Sequence, residues 1–168
     1  MKAIQRTVVF LAVLISTILM SSCLNPVEPE GDQSDAIREA VLRYQFEWFG
    51  NPVLFRNFYI AVSVSDSVHQ FRSDADPSGP LLKAFASHLP PVKKFSDAKI
   101  VQGQVLDKQT SENGVLFRVA QIQWKSPSAV SLDGGDYFGG RGADTFLYHV
   151  TRKNGAWSVD STRYWWGA

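Results

Sequence analysis

Three places in the chain carry side chains whose type and spacing could do chemistry. The first is a histidine and an aspartate that a tight turn would bring together. Asn154-Gly155, between Lys153 and Ala156, has the composition of a two-residue type I′ hairpin turn. In the register such a turn sets, Arg152 opposes Trp157, Val150 opposes Val159 and Tyr148 opposes Ser161. On the other face Thr151 meets Ser158, Leu147 meets Thr162 and His149 meets Asp160. A histidine oriented by a carboxylate is the arrangement of a general base. Catalysis needs a third role as well, and no nucleophile or second acid accompanies the pair, so it reads first as a cross-strand polar contact. His69 and His88 stand at no metal-ligand spacing and are expected on the surface.

The second place is Leu132 to Asp144, LDGGDYFGGRGAD. Gly139 to Leu147 fits the nonapeptide pattern of calcium-binding repeats, with Asp133 and Asp136 as further carboxylates. The preceding nine residues, VSLDGGDYF, do not repeat it, and that site is built between stacked repeats. The glycine spacing matches neither a dinucleotide fingerprint nor a phosphate-binding loop. The segment therefore predicts a flexible connection whose glycines take positive φ, with no metal and no cofactor. Changes at Gly139 or Gly140 should then cost little. Long glycine-rich loops often bind, so Tyr137, Phe138, Arg141 and Asp144 are candidate ligand or partner contacts, together with His149 and Asp160. No catalytic residue is assigned.

The third place is the one cysteine. Residues 1–23 read MKAIQRTVVFLAVLISTILMSSC, with Lys2 and Arg6 ahead of an uncharged run from Thr7 to Met20. As a helix that run spans about 21 Å, short of the roughly 30 Å core of a bilayer. Small residues then lead to Cys23, which is the organisation of a signal peptide. Met20-Ser21-Ser22-Cys23 resembles the lipobox of bacterial lipoproteins. The resemblance implies cleavage before Cys23 and a diacylglyceryl group on its sulfur. Residues 1–22 would be the signal peptide, and residues 23–34, rich in proline and acid, a lipidated tether. Leu24 stands where an aspartate would resemble an inner-membrane retention signal, which favours the outer membrane in a diderm organism.

These sites need positioning elements. Asp35 to Phe49 shows helical periodicity, with Ile37, Val41, Tyr44 and Trp48 in one stripe beside Ala40, and with Leu42, Phe46 and Phe49 widening it. Ser34 is placed to cap it and Gly50-Asn51-Pro52 to stop it. Phe58 to Val64 alternates as a strand, and Pro80 opens a short helix over Leu81 to His88. Four more strands are predicted at Lys99–Lys108, Val115–Lys125, Thr145–Lys153 and Ala156–Trp166. The fold class is α+β over residues 35–168: one long N-terminal helix and a short one packed on a curved antiparallel sheet of about five strands. That order, and the ending RKNGAWSVDSTRYWW, resemble the cystatin-like and nuclear transport factor two-like architecture. The segment from Gly135 to Ala168 also resembles the C-terminal part of a group of bacterial envelope proteins of unassigned activity. Of the closing aromatics, Tyr164 and Trp166 share a strand face and Trp165 takes the other, so at least one large ring is expected to find cover, by core packing ahead of a partner or ligand.

Composition narrows the function. Hydrophobic content of 45% and charged content of 20% exclude a disordered chain and a polytopic membrane protein. A net charge of +1 gives no ground for nucleic-acid binding, and one cysteine excludes a disulfide framework. The expected protein is a non-enzymatic envelope lipoprotein, a binding or assembly module. Its partners would be the membrane, through the lipid on Cys23, and a protein of the envelope. The alternatives are a small pocket hydrolase or isomerase using His149 and Asp160, and a lipoprotein that neutralises a toxin.

Overall fold

The computed structural model describes residues 33–50, 54–63, 74–140 and 142–167. Cys23, the expected signal peptide, most of the expected tether, His69 and Arg141 lie outside the described residues. The first described element is the helix α1 (Ser34–Phe49). Its buried residues are Ile37, Val41, Leu42, Gln45 and Phe46, spaced so that they share one side of the cylinder. That side is rotated from the expected stripe: Tyr44 and Trp48 fall on its flank and stay exposed. Leu42 and Phe46 occupy the core instead. Ser34 lies inside the helix rather than capping it, and Gly50, at φ +62°, ends it.

Ten strands follow among the described residues: β1 (Asn57–Ser63), β2 (Asp74–Ala75), β3 (Val92–Lys94), β4 (Ala98–Val101), β5 (Gln104–Asp107), β6 (Gly114–Val119), β7 (Gln123–Ser126), β8 (Ala129–Gly139), β9 (Gly142–Lys153) and β10 (Ala156–Gly167). The class is α+β, with twice the expected number of strands. The main sheet runs β10-β9-β8-β6-β1-β2, with β3 added on β1 and β7 on β8. It is mixed rather than antiparallel, because β1 pairs parallel with both β6 and β3. Parallel neighbours need a crossover, and the chain between β1 and β6 supplies it. Among the described residues no helix is long and apolar enough to cross a membrane.

Three further expectations change. The segment Lys99–Lys108 is two strands, because Gln102 and Gly103 take φ of +51° and +81° and fold it into a hairpin. Val115–Lys125 breaks after Val119 into β6 and β7. The short helix is α2 (Gly79–Lys83), capped by the Ser78 hydroxyl, and it gives way to turns before His88.

Even-numbered residues of β8 and β9 face α1 and odd-numbered ones face away. Val130, Leu132, Tyr148 and Val150 join Phe58, Ile60 and Phe117 beneath the helix in the principal core. The β4–β5 hairpin covers the far face, where Tyr59, Ala61, Leu116, Ala98 and Val105 form a second core. Strands β1 and β6 are thus buried on both faces, which explains why their sequences run apolar without clean alternation. A buried carboxylate ties that hairpin down. Asp107 accepts from Tyr59 Oη at 2.9 Å, Lys93 Nζ at 2.7 Å and the Gln109 and Thr110 amides. Lys93 and these amides hold Asp107 ionised, well below the usual carboxylate range.

The glycine-rich segment is not a loop. It is the end of β8, a tight turn and the start of β9. Gly134 and Gly135 sit within the ladder, where any side chain would collide. A Cβ on Gly135 would lie 2.1 Å from the Asp144 carbonyl oxygen, and one on Gly134 would lie 2.5 Å from Gln45 Nε2. By contrast a Cβ on Gly155 meets nothing within 4 Å, although its φ of +84° is strained for other residues. Gly135→Ala should therefore cost more than Gly155→Ala. The first forces backbone apart at a cost of about 3 kcal/mol or more, and the second carries backbone strain of about 1–2 kcal/mol. Urea denaturation of the two variants measures both. A smaller loss for Gly135→Ala would mean that β8 and β9 are not in this register.

Candidate ligand site between helix and sheet

The terminal hairpin begins as the Asn154-Gly155 turn dictates. Asn154 and Gly155 have φ of +53° and +84°, and the pairs Trp157–Arg152, Ser158–Thr151 and Val159–Val150 form. The register then slips. Asp160 is the extra residue of a bulge, so His149 opposes Ser161 and Tyr148 opposes Thr162. The expected His149–Asp160 pair is not made. Asp160 takes Lys153 Nζ at 2.7 Å, and both that pair and His149 are exposed. A second shift leaves Trp165 as the extra residue, and Tyr164 and Trp165 are exposed rather than packed in the core. Arg163 lies over the Trp165 ring at 5.0 Å.

The other candidate contacts divide by face. Tyr137 points away from α1, and its hydroxyl donates to the Gly103 carbonyl at 2.7 Å, where it holds the β4–β5 hairpin. Phe138 faces the helix end, with its ring 5.8 Å from Phe49 and 5.9 Å from Phe55. Asp144 also faces the helix, half-buried and directly opposite Asp136. His88, expected on the surface, is half-buried with its ring 4.8 Å from Phe46.

Asp136, named from the sequence only as a further carboxylate beside the nonapeptide pattern, is central to this face. On the helix-facing side its neighbours are Phe117 on β6, Asp144 on β9, and Gly134 and Phe138 along β8. It is 7% exposed, and its Oδ2 has no hydrogen-bond partner. Burial first and the Asp144 carboxylate second push its carboxyl up to about 7. Gln45 of α1 reaches the same face. Its amide sits where a Cβ on Gly134 would be, its Nε2 donates to the Arg118 carbonyl at 3.2 Å, and its Oε1 is unpartnered. Burial raises the Tyr148 hydroxyl above its ordinary value on this face as well.

Aromatic rings border the group on the solvent side. Trp48 packs edge-on against Phe146 at 5.0 Å, and Phe146 against Tyr164 at 5.4 Å. Tyr164 Oη donates a long 3.4 Å hydrogen bond to Asp144 Oδ1. Trp48 and Tyr164 are 54% and 58% exposed. The wedge between the C-terminal half of α1 and the β8–β9 ladder thus holds unpaired acceptors within and open rings at its edge.

A depression of about 250 Å³ is lined by Arg43, Phe46, Glu47, Phe85 and His88. Its cation is already engaged, since Arg43 pairs with Glu39, donates to the Ala84 carbonyl and lies over the Phe85 ring. His88 Nδ1 stands 2.8 Å from the Pro90 carbonyl. No family model matches the chain, no curated protein matches it, and no solved structure matches it.

The raised Asp136 carboxyl fixes the sign of a stability effect. The folded state holds a proton that the unfolded chain releases near its ordinary value of 3.8. The group is neutral in both states below that value, so its penalty is absent there. The penalty grows as pH rises and is complete above about 7. Asp136→Asn removes it. Relative to the parent, the variant should gain stability between pH 4 and pH 8 by an amount on the order of 4 kcal/mol. Denaturation curves of both proteins across that interval check it. A difference that does not change with pH would mean that Asp136 titrates normally.

Proposed function

We propose that this protein is a lipid-anchored module of the bacterial envelope that works by binding, held to the membrane through Cys23 and, in a diderm organism, to the outer membrane. The observation that carries the binding reading is the exposed pair Trp48 and Tyr164, both packed on Phe146 beside the core, with Trp165 exposed as well. Large rings left open next to buried, unpaired polar atoms are characteristic of contact surfaces. The pocket-enzyme alternative relied on His149 held by Asp160, and the bulge at Asp160 separates their register positions. The anchoring reading is supported by the lipobox-like Met20-Ser21-Ser22-Cys23 and by the tether that follows it. A helix lying on one face of a sheet also supports the cystatin-like architecture, with β2, β3 and the β4–β5 hairpin as additions to it. The membrane is one partner, an envelope protein the other.

Two or three acyl chains on Cys23 would hold the domain durably, whereas one chain binds only marginally. In bacteria fed radiolabelled palmitate, the parent should take up label and partition into the detergent phase. Cys23→Ala should carry no label and appear in the soluble fraction. Equal partitioning of parent and variant would overturn the anchor.

A further inference from the structure

The wedge contains a surplus of one kind of polar atom. Asp136 Oδ2 and Gln45 Oε1 are unpartnered acceptors on residues that are 7% and 4% exposed. The Asp144 carboxylate lies opposite Asp136. Among the described residues no lysine or arginine forms an ion pair with either aspartate. Buried acceptors without donors are costly, and two neighbouring carboxylates add repulsion. Gln45 Nε2 is already given to the Arg118 carbonyl, and among the described residues no cation pairs with either carboxylate. The rings at the edge of the wedge suit a cationic occupant, because Trp48 and Tyr164 are exposed and an aromatic ring attracts a cation.

A bare metal ion answers this need poorly. Calcium takes six to eight oxygen ligands, and zinc usually takes four side-chain ligands. Among the described residues no three histidine, cysteine, aspartate or glutamate side chains gather to hold a metal. A quaternary ammonium would satisfy the rings but leave both acceptors without donors. A primary ammonium brings three N–H donors on one compact charge.

We infer that the wedge between α1 and the β8–β9 ladder binds a primary alkylammonium ion, with its N–H groups donated to Asp136 and Gln45, Asp144 completing the charge balance, and its alkyl stem lying along Trp48, Phe146 and Tyr164. This rests on the binding reading above and extends it to a ligand class. The ion can belong to a free amine or to a lysine side chain of a protein partner, which present the same chemistry to the wedge.

The test uses the purified full-length protein at pH 8, followed by tryptophan fluorescence and calorimetry. The probes are n-butylammonium chloride and the peptide acetyl-Gly-Lys-Gly-amide, with n-butanol and tetramethylammonium chloride as controls at matched ionic strength. Saturable binding of at least one amine probe is expected, weakened by about tenfold or more in Asp136→Asn. Asp144→Asn, a half-buried position less exposed to folding effects, should weaken it in the same direction. Tighter binding of the peptide would assign the ion to a lysine side chain, and tighter binding of n-butylammonium to a free amine. The inference is overturned if neither amine saturates the protein, if both variants bind as the parent does, or if tetramethylammonium or n-butanol binds as well as n-butylammonium. The palmitate experiment reads none of these outcomes, so the anchor and the ligand assignment fail separately.

Discussion

The approach of α1 to β8 over Gly134 is the contact on which the site depends. With no side chain at that position, the Gln45 amide drops onto the sheet and its Nε2 reaches the Arg118 carbonyl. Gly135, the next residue, lets the Asp144 carbonyl come close across the ladder. These two absent side chains bring a polar helix residue and two carboxylates to one buried face. A methyl group at either would push apart the elements that make the wedge. The glycines are thus packing residues, and their conformational freedom is secondary. The helix is fastened at its other end as well, where Trp157 Nε1 donates to Gln33 Oε1 at 2.9 Å.

Burial makes the wedge chemically distinct from the rest of the surface. Asp107 is equally buried, yet its oxygens accept from a lysine, a tyrosine and two amides, so it stays ionised. Asp136 has an unpartnered oxygen, and burial first and the carboxylate opposite second make it hold its proton to near neutrality. For Asp136 burial leads, whereas for Asp107 the bonds from Lys93 and the Thr110 amide outweigh it. The first serves as a structural clamp for the β4–β5 hairpin. The second remains available to a donor from outside the chain.

What could be read from the sequence was what local chemistry decides. The Asn154-Gly155 turn needs no distant partner, and the first pairs of its hairpin follow from it. The helix over residues 35–49 was legible from its periodicity, but its rotation was not. Trp48 and Tyr44 carry large rings that bury as readily as Phe46, and the shape of the sheet beneath decides which are covered. The bulge at Asp160 was hidden because Lys153 competes for the carboxylate across the turn. Strand β8 was hidden because glycine and aspartate are poor strand residues, and the reason for Gly134 is Gln45, far away in sequence. Strand parity would have placed Asp136 with Val130 and Leu132 on the helix side, once residues 129–139 were seen to be extended. The parallel pairing of β1 with β6 left no local signal, since it depends on the crossover between them.

Asp136 is a buried carboxyl with one unpartnered oxygen, raised by burial and by Asp144. The most direct measurement is the pH titration of its side-chain carboxyl carbon by NMR in the full-length protein. The account predicts a midpoint of about 7, falling when Asp144 is replaced by asparagine. A midpoint near the ordinary 3.8 in the parent would contradict it.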